Sequence, residues 1–248
     1  MKLANKVALL TGIESETGRA IALAFAREGA KVAGCCNKAE IAQETLRAVE
    51  KAGGSCLIIE GDPGKSAGAK AIVEKTVERF GGLDILVNYG AARRVVGTIM
   101  EITEEEFDEE MAADLKSVIF LSRHAIPAMV QRGGGSIVNH SSIAGYGVKA
   151  RALRSASKAA LNSLTVAMAL DHGPQNIRVN ALLVGPTLTA ELARRPEQIA
   201  QLQKEAALRQ LHTPEDVAEA VLFLAADDSK HITGVLLPLD AGRSLPTF

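Results

Sequence analysis

The sequence predicts one α/β domain built on a doubly wound parallel sheet of seven strands, and three observations carry that reading. Seven apolar runs rich in Val, Ile and Leu recur along the chain, each short enough for a strand buried on both faces. Segments of helical spacing separate them, and strand alternating with helix is the pattern of a doubly wound sheet. The alternation runs from Lys6 to about Asp240 without a Pro/Gly/Ser linker, internal repeat or low-complexity block, and 248 residues suit one undivided domain of this class.

In chain order the strand candidates are KVALL, AKVAG, CLIIE, LDILVN, SIVNH, RVNALLV and VLLPL. Helical spacing marks GRAIALAFAREG, AEIAQETLRAVEKAGG, GAKAIVEKTVERFGG and SASKAALNSLTVAMALDHG, each ending on Gly where a helix C′ position favours it. After Gly185, the stretch LTAELARRPEQ with its internal Pro196 reads as a mobile segment. It is expected over the carboxyl ends of the strands, where such sheets bind ligands.

Composition narrows the function. Apolar residues at 47% and charged residues at 23% suit a soluble chain with a sizeable core and exclude a disordered one. A formal net charge of -1 supplies no general attraction to nucleic acid or anionic membranes, so the expected partners are proteins or small molecules. No apolar run approaches the roughly 20 residues of a membrane span. The opening MKLANKVALLTG reads as a first strand rather than a secretory signal, so the expected location is cytoplasmic. Cys35, Cys36 and Cys56 form no CxxC pair and are expected to be small buried hydrophobes. His124, His140, His172, His212 and His231 are scattered, and no metal site is expected from them.

Several separate motifs then agree. Thr11, Gly12 and Gly18 stand at the outer positions of a TGxxxGxG loop, Asp62 follows the third strand, and Asn88 closes LDILVN. GSIVNHSSIAG contains Ser142, RSASKAAL contains Lys158, and VNALLVGPTLT, TPEDVAEAVLFLA and ITGVLLPLDAG fill the last third. Over nearly its whole length the chain resembles the short-chain dehydrogenase/reductase family. The resemblance implies a Rossmann-like sheet of order 3-2-1-4-5-6-7 with helices on both faces. It places Asp62 at an adenine-contacting position, Ser142 at the catalytic serine and Lys158 at the active-site lysine. Such proteins move a hydride between a nicotinamide and an alcohol or ketone. Tyr acts as acid/base, Lys lowers its pKa, Ser orients the substrate oxygen, and Asn supports a proton relay.

Against that pattern the sequence departs at several places. Arg154 stands four residues before Lys158, where the family carries Tyr, and the helical register leaves no shifted substitute. Tyr146 lies eight residues upstream of Arg154, in a loop. A guanidinium does not give up its proton near neutral pH, so arginine cannot do the phenol's chemistry. Asp114 takes the place of the relay asparagine and is expected to pair with Arg154, or each of them with Ser142 or Lys158. Glu16 replaces the middle glycine of TGIESETG, at a position where the family brings bare backbone against the pyrophosphate. A carboxylate there repels phosphate by about 4 kcal/mol per unit pair at about 4 Å and an effective dielectric constant of about 20. Glu14 or Glu16 is a candidate to serve as the anion that a helix N-terminus favours. Cys36 stands where users of NAD often carry a ribose-binding acid, Lys38 reads as a solvated lysine opening a helix, and Tyr89 and Ala91 replace two residues of the family's NNAG.

From these departures the catalytic set is expected to be not intact. Ser142 and Lys158 are vestigial and Arg154 and Asp114 substituted. Among the cofactor-binding positions Gly12, Gly18, Asp62 and Asn88 are vestigial and Glu16 blocks. The glycines then serve a tight turn and close helix packing. The expected role is a non-catalytic subunit that binds no cofactor itself and pairs, as a heterotetramer, with a homologous active subunit carrying NAD. Ala156, Ala159, Ala160, Leu164, Ala167 and Met168 suit close helix contact in such an assembly, and the tail GRSLPTF suits a second interface. One alternative is a cofactor-independent lyase, isomerase or cyclase, with Asp114 as base and Arg154 clamping an anionic substrate in an open pocket. Another is a ligand-sensing module.

Overall fold

The computed structural model describes residues 1–90 and 96–245. Strands β1 (Val7–Thr11), β2 (Lys31–Cys36), β3 (Ser55–Glu60), β4 (Ile85–Asn88), β5 (Gly135–Ser142), β6 (Ile177–Val184) and β7 (Leu236–Leu239) form one sheet. Its order is β3-β2-β1-β4-β5-β6-β7 and every pairing is parallel, as the alternation of strand and helix implied. Each apolar run of the sequence lies within or beside one of these strands. Pro238 falls in β7 at the sheet's edge, where a missing N–H costs no ladder bond.

The helices are α1 (Glu16–Arg27), α2 (Gln43–Lys51), α3 (Ser66–Phe80), α4 (Glu104–Met111), α5 (Ser117–Gln131), α6 (Ala152–His172), α7 (Ala190–Ala193), α8 (Pro196–Glu205) and α9 (Pro214–Ala225). Alternation along the strands divides the core. Ala8 and Leu10 of β1 face Ile21 and Phe25 of α1 and Val221 of α9, whereas Val7 and Leu9 face Ile72 of α3 and Leu121 of α5. Helix ends come from local chemistry as well. Thr103 and Thr213 open α4 and α9 with capping boxes completed by Glu106 and Asp216, and Gly81 closes α3 in the left-handed conformation at φ +85°.

One helix end differs from the expectation. Gly173, after α6, has φ −55° and continues into a 3-10 turn with Pro174; the left-handed residue is Asn176, at φ 58°. A side-chain hydrogen bond from Asn176 to Gly133 O at 2.9 Å holds that turn against the loop before β5. The stretch after Gly185 forms α7 and α8, neither of which contains a buried residue. Among the described residues no helix is long and apolar enough to cross a membrane.

Candidate functional site

All seven strands point their carboxyl ends the same way, so the loops after β1, β4, β5 and β6 converge on one cleft. After β1 the chain turns through Gly12 at φ +66°; a Cβ there would lie 2.7 Å from Tyr89 Cδ1 and 2.8 Å from Tyr89 O. At Gly18 a Cβ would lie 2.1 Å from Gly12 O. Both glycines are therefore required by the turn and by the packing of α1 onto it, whatever the loop binds. Ser15 caps α1, its Oγ accepting from Gly18 N and donating to Gly12 O, both at 2.9 Å.

Glu16, exposed in the first turn of α1, reaches away from its own helix. Its two carboxylate oxygens accept from Ala190 N at 3.2 and 3.0 Å, joining α1 to the first residue of α7. Of the two acids proposed to serve a helix N-terminus, Glu16 holds that position, where its charge also suits the dipole of α1. Glu14 instead has a buried Oε2 without a hydrogen-bond partner.

Along β2 and β3 the substitutions are accounted for locally. Burial pushes the Cys35 thiol up to about 12 and also raises that of Cys36, whose Sγ lies 3.2 Å from Lys38 O. Lys38 is exposed, in keeping with a solvated lysine. Asp62 is exposed and accepts from Gly64 N at 2.9 Å, stabilising its own turn. Asn88 is buried, and its amide donates to Asn139 Oδ1 at 2.9 Å; Asn139 in turn donates to Thr165 Oγ1 at 2.9 Å. This chain of amides ties β4 and β5 to α6. Ala91 lies outside the described residues, as does the end of the GRSLPTF tail from 246 to 248.

The proton-transfer side is filled by a buried charge network. A turn of π-helix, Ala112–Lys116, between α4 and α5 turns Asp114 inward, where it is buried. Lys158 Nζ donates to Asp114 Oδ1 at 3.0 Å and to His140 O at 3.2 Å. Arg154 Nη1 lies 3.5 Å from Glu110 Oε1 and 3.7 Å from Asp114 Oδ2, and Ser157 Oγ donates to Asp114 Oδ2 at 3.0 Å. Arg154 and Asp114 thus pair, as expected, and Asp114 also takes Lys158. Ser142 is engaged with backbone instead: its Oγ accepts from Ala144 N at 3.1 Å and donates to Val184 O at 3.3 Å.

Burial lowers the pKa of Lys158, against the pull of Asp114. Burial, reinforced by the charge on Asp114, raises that of Glu110, while Arg154 and Lys158 oppose the rise. His140 is held well below the ordinary imidazole range by burial, then by the charges of Lys158 and Arg154. Its ring lies 4.3 Å from that of Tyr89, and its Nδ1 is buried without a partner. The chain has two tyrosines: Tyr89 is stacked here, and Tyr146 is 59% exposed after β5. Neither stands one helical turn from Lys158.

Glu110, Ser157 and His140 are the site residues that sequence reasoning missed. Glu110 had a usable signal, since it stands four residues before Asp114 and so on the same helical face. His140 had none, because only the fold brings β5 and β4 together at that level.

A cleft of about 420 Å³ remains beside this network. Arg154, His140 and Ser142 line its inner wall, and Leu192, Arg195 and Leu202 of the α7–α8 segment line its outer one. Asp114 does not line it, so the carboxylate proposed as a base is shielded from anything bound there.

The family model for enoyl-(acyl carrier protein) reductase matches residues 12–244. An uncharacterized oxidoreductase of Thermotoga maritima is 40% identical over 98% of this chain and 99% of its own. The 3-oxoacyl-(acyl-carrier-protein) reductase of the same organism is 34% identical over 98% and 99%. A crystal structure of a putative short-chain dehydrogenase/reductase from Burkholderia xenovorans superposes with a TM-score of 0.93 at 30% identity, covering 100% of this chain and 99% of that one.

Proposed function

The chain belongs to the short-chain dehydrogenase/reductase family, and on that premise we propose that it is a non-catalytic member, the partner subunit of an active NAD-dependent sister. The observation that carries this reading is Arg154 in the place of the proton-transferring tyrosine, ion-paired to Glu110 and Asp114. A guanidinium held this way does not exchange a proton with an alcohol or ketone near neutral pH. Lys158, which in the family lowers the tyrosine's pKa, is committed to Asp114. Ser142 is committed to backbone.

The residues present do not fit a nicotinamide dinucleotide. Glu16 puts a carboxylate at the pyrophosphate position and bonds it to Ala190 N. Tyr89 lies over Gly12 on the nicotinamide side. The Glu16 carboxylate ties the start of α1 to the first N–H of α7, so a negative charge of this chain's own stands at the mouth of the loop where an anionic cofactor would sit.

The sister subunit then carries NAD and oxidises a hydroxyacyl-type alcohol, and the two chains form a cytoplasmic heterotetramer. In its style of degeneration the chain resembles the non-catalytic subunit of (hydroxy(phenyl)methyl)succinyl-CoA dehydrogenase, an enzyme of anaerobic toluene degradation. Exposed apolar residues on α5 and α6, Ile119 on the first and Val166 and Leu170 on the second, are what a helix-to-helix interface uses.

Two measurements test the reading together: native mass spectrometry of the protein from its own host, and calorimetric titration of the purified chain with NAD and NADP. The expected result is a stoichiometric partner of the same fold and no cofactor heat from this chain alone. A homo-oligomer that binds either nucleotide tightly would overturn it.

A further inference from the structure

We propose that the cleft beside Arg154 binds a small organic carboxylate with an apolar body, the Arg154 guanidinium anchoring the carboxylate. The volume of about 420 Å³ lies in the range of small-molecule sites, about 300–1,000 Å³.

The anchor follows from which polar groups still have capacity. Ser142 has spent its hydroxyl on Ala144 N and Val184 O. Arg195 and Arg243 are paired with Glu191 and Glu205 at the outer wall. Arg154 is the more deeply set, its side chain 16% exposed against 57% for Arg195 and 26% for Arg243. Among the described residues its side chain makes one hydrogen bond, from Nη1 to Glu110 Oε1 at 3.5 Å, the long limit for such a bond, and the same nitrogen lies 3.7 Å from Asp114 Oδ2. Guanidinium carries five donors in a planar fork that matches a carboxylate, so the remaining edge is available to one. His140 adds a second polar group on the same wall, with Nδ1 buried and unpartnered. A neutral imidazole there offers one donor and one acceptor.

The rest of the lining sets the class. Ile143, Val148, Val184, Leu192 and Leu202 supply an apolar wall. Glu191 on the lining is neutralised by Arg195, so the apolar wall, rather than the charge of the lining, favours a carboxylate with an apolar body over a phosphate dianion. This inference needs Arg154 in the cleft and does not depend on whether the chain has a catalytic partner.

The test is calorimetry on the full chain with benzoate, its neutral counterpart benzamide and inorganic phosphate as probes. Benzoate should bind at least tenfold more tightly than benzamide, and phosphate should not displace it at equal concentration. Arg154→Gln should weaken benzoate at least tenfold and leave benzamide unchanged. Arg154→Lys, which keeps charge and bulk but loses the fork, should fold and still bind benzoate less tightly than the parent. Leu192→Trp, which fills the cleft and leaves its charges alone, should abolish binding of both aromatic probes. Equal binding of benzoate and benzamide, displacement by phosphate, or benzoate affinity indifferent to both Arg154 variants overturns the proposal. NAD titrated into the same samples reports separately on the nucleotide side, so failure of the subunit reading leaves these outcomes legible.

Discussion

Glu16 and Arg154 each stand where the family carries a residue it uses, yet they are held in different ways. Glu16 is exposed, and its partner is one backbone N–H, that of Ala190. Arg154 is mostly buried and shares a network with Glu110, Asp114, Ser157 and Lys158. Exposed contacts to a charge are worth little, typically about 1 kcal/mol or less, whereas removing one partner of a buried pair leaves an uncompensated charge. The lesson is that Glu16 is held by one exposed contact that a single substitution can release, whereas Arg154 belongs to a buried network in which each substitution leaves a charge uncompensated.

The sharpest way to break that contrast is Asp114→Ala. Lys158 and Arg154 would lose their common carboxylate, and stability should fall by about 3 kcal/mol or more, read from urea denaturation. An unchanged midpoint would show that the network bears no structural weight. Glu16→Gly should behave in the opposite manner. It should cost about 1 kcal/mol of stability, for the lost contact and the poorer helix former, while tightening NAD or NADP binding at least tenfold by calorimetry. If nucleotide affinity does not change, the closure of that side lies elsewhere, in Tyr89 or Cys36.

A third test follows protonation. The His140 imidazole titrates well below 6.5 in the folded chain, because burial, then Lys158 and Arg154, oppose its charge. His212, also depressed by burial, faces it from the loop before α9. The unfolded chain therefore takes up a proton near pH 6.5 that the native state does not. Stability present above that pH should decline as pH falls below it, by up to about 1.4 kcal/mol per pH unit for one such group. His140→Gln should make the decline between pH 6.5 and 5 shallower; a decline as steep as in the parent would assign it to other groups. The smallest effect is expected from Arg154→Tyr alone, which should show no NAD-dependent turnover of alcohols while Glu16 remains. Clear turnover in that single variant would mean that Glu16 does not exclude the cofactor.

How much of this was legible beforehand varies with distance along the chain. The pairing of Arg154 with Asp114 was anticipated, because one occupies a fixed helical register before Lys158 and the other a recognisable relay position. Glu110 was half legible, through its spacing to Asp114. The contact of Glu16 with Ala190, across 174 residues of sequence, was not, and the notion of a lone anion at a helix N-terminus stopped short of it. Nor could the sequence tell that Asn88 and Asp62 would be occupied by Asn139 and by Asp62's own turn.

Strand number and the alternation of strand with helix were legible in the sequence alone, because hydrophobic period and turn chemistry act locally, while the strand order was what the resemblance to a family implied. Two things were decided only by the tertiary structure. One is the partner each polar side chain at the carboxyl ends would find. The other is that an open cleft would survive beside Arg154 even though Arg154 is paired with Asp114. Both depend on distances between loops remote in sequence, and a buried charge is governed by whichever neighbour lies within a few ångströms.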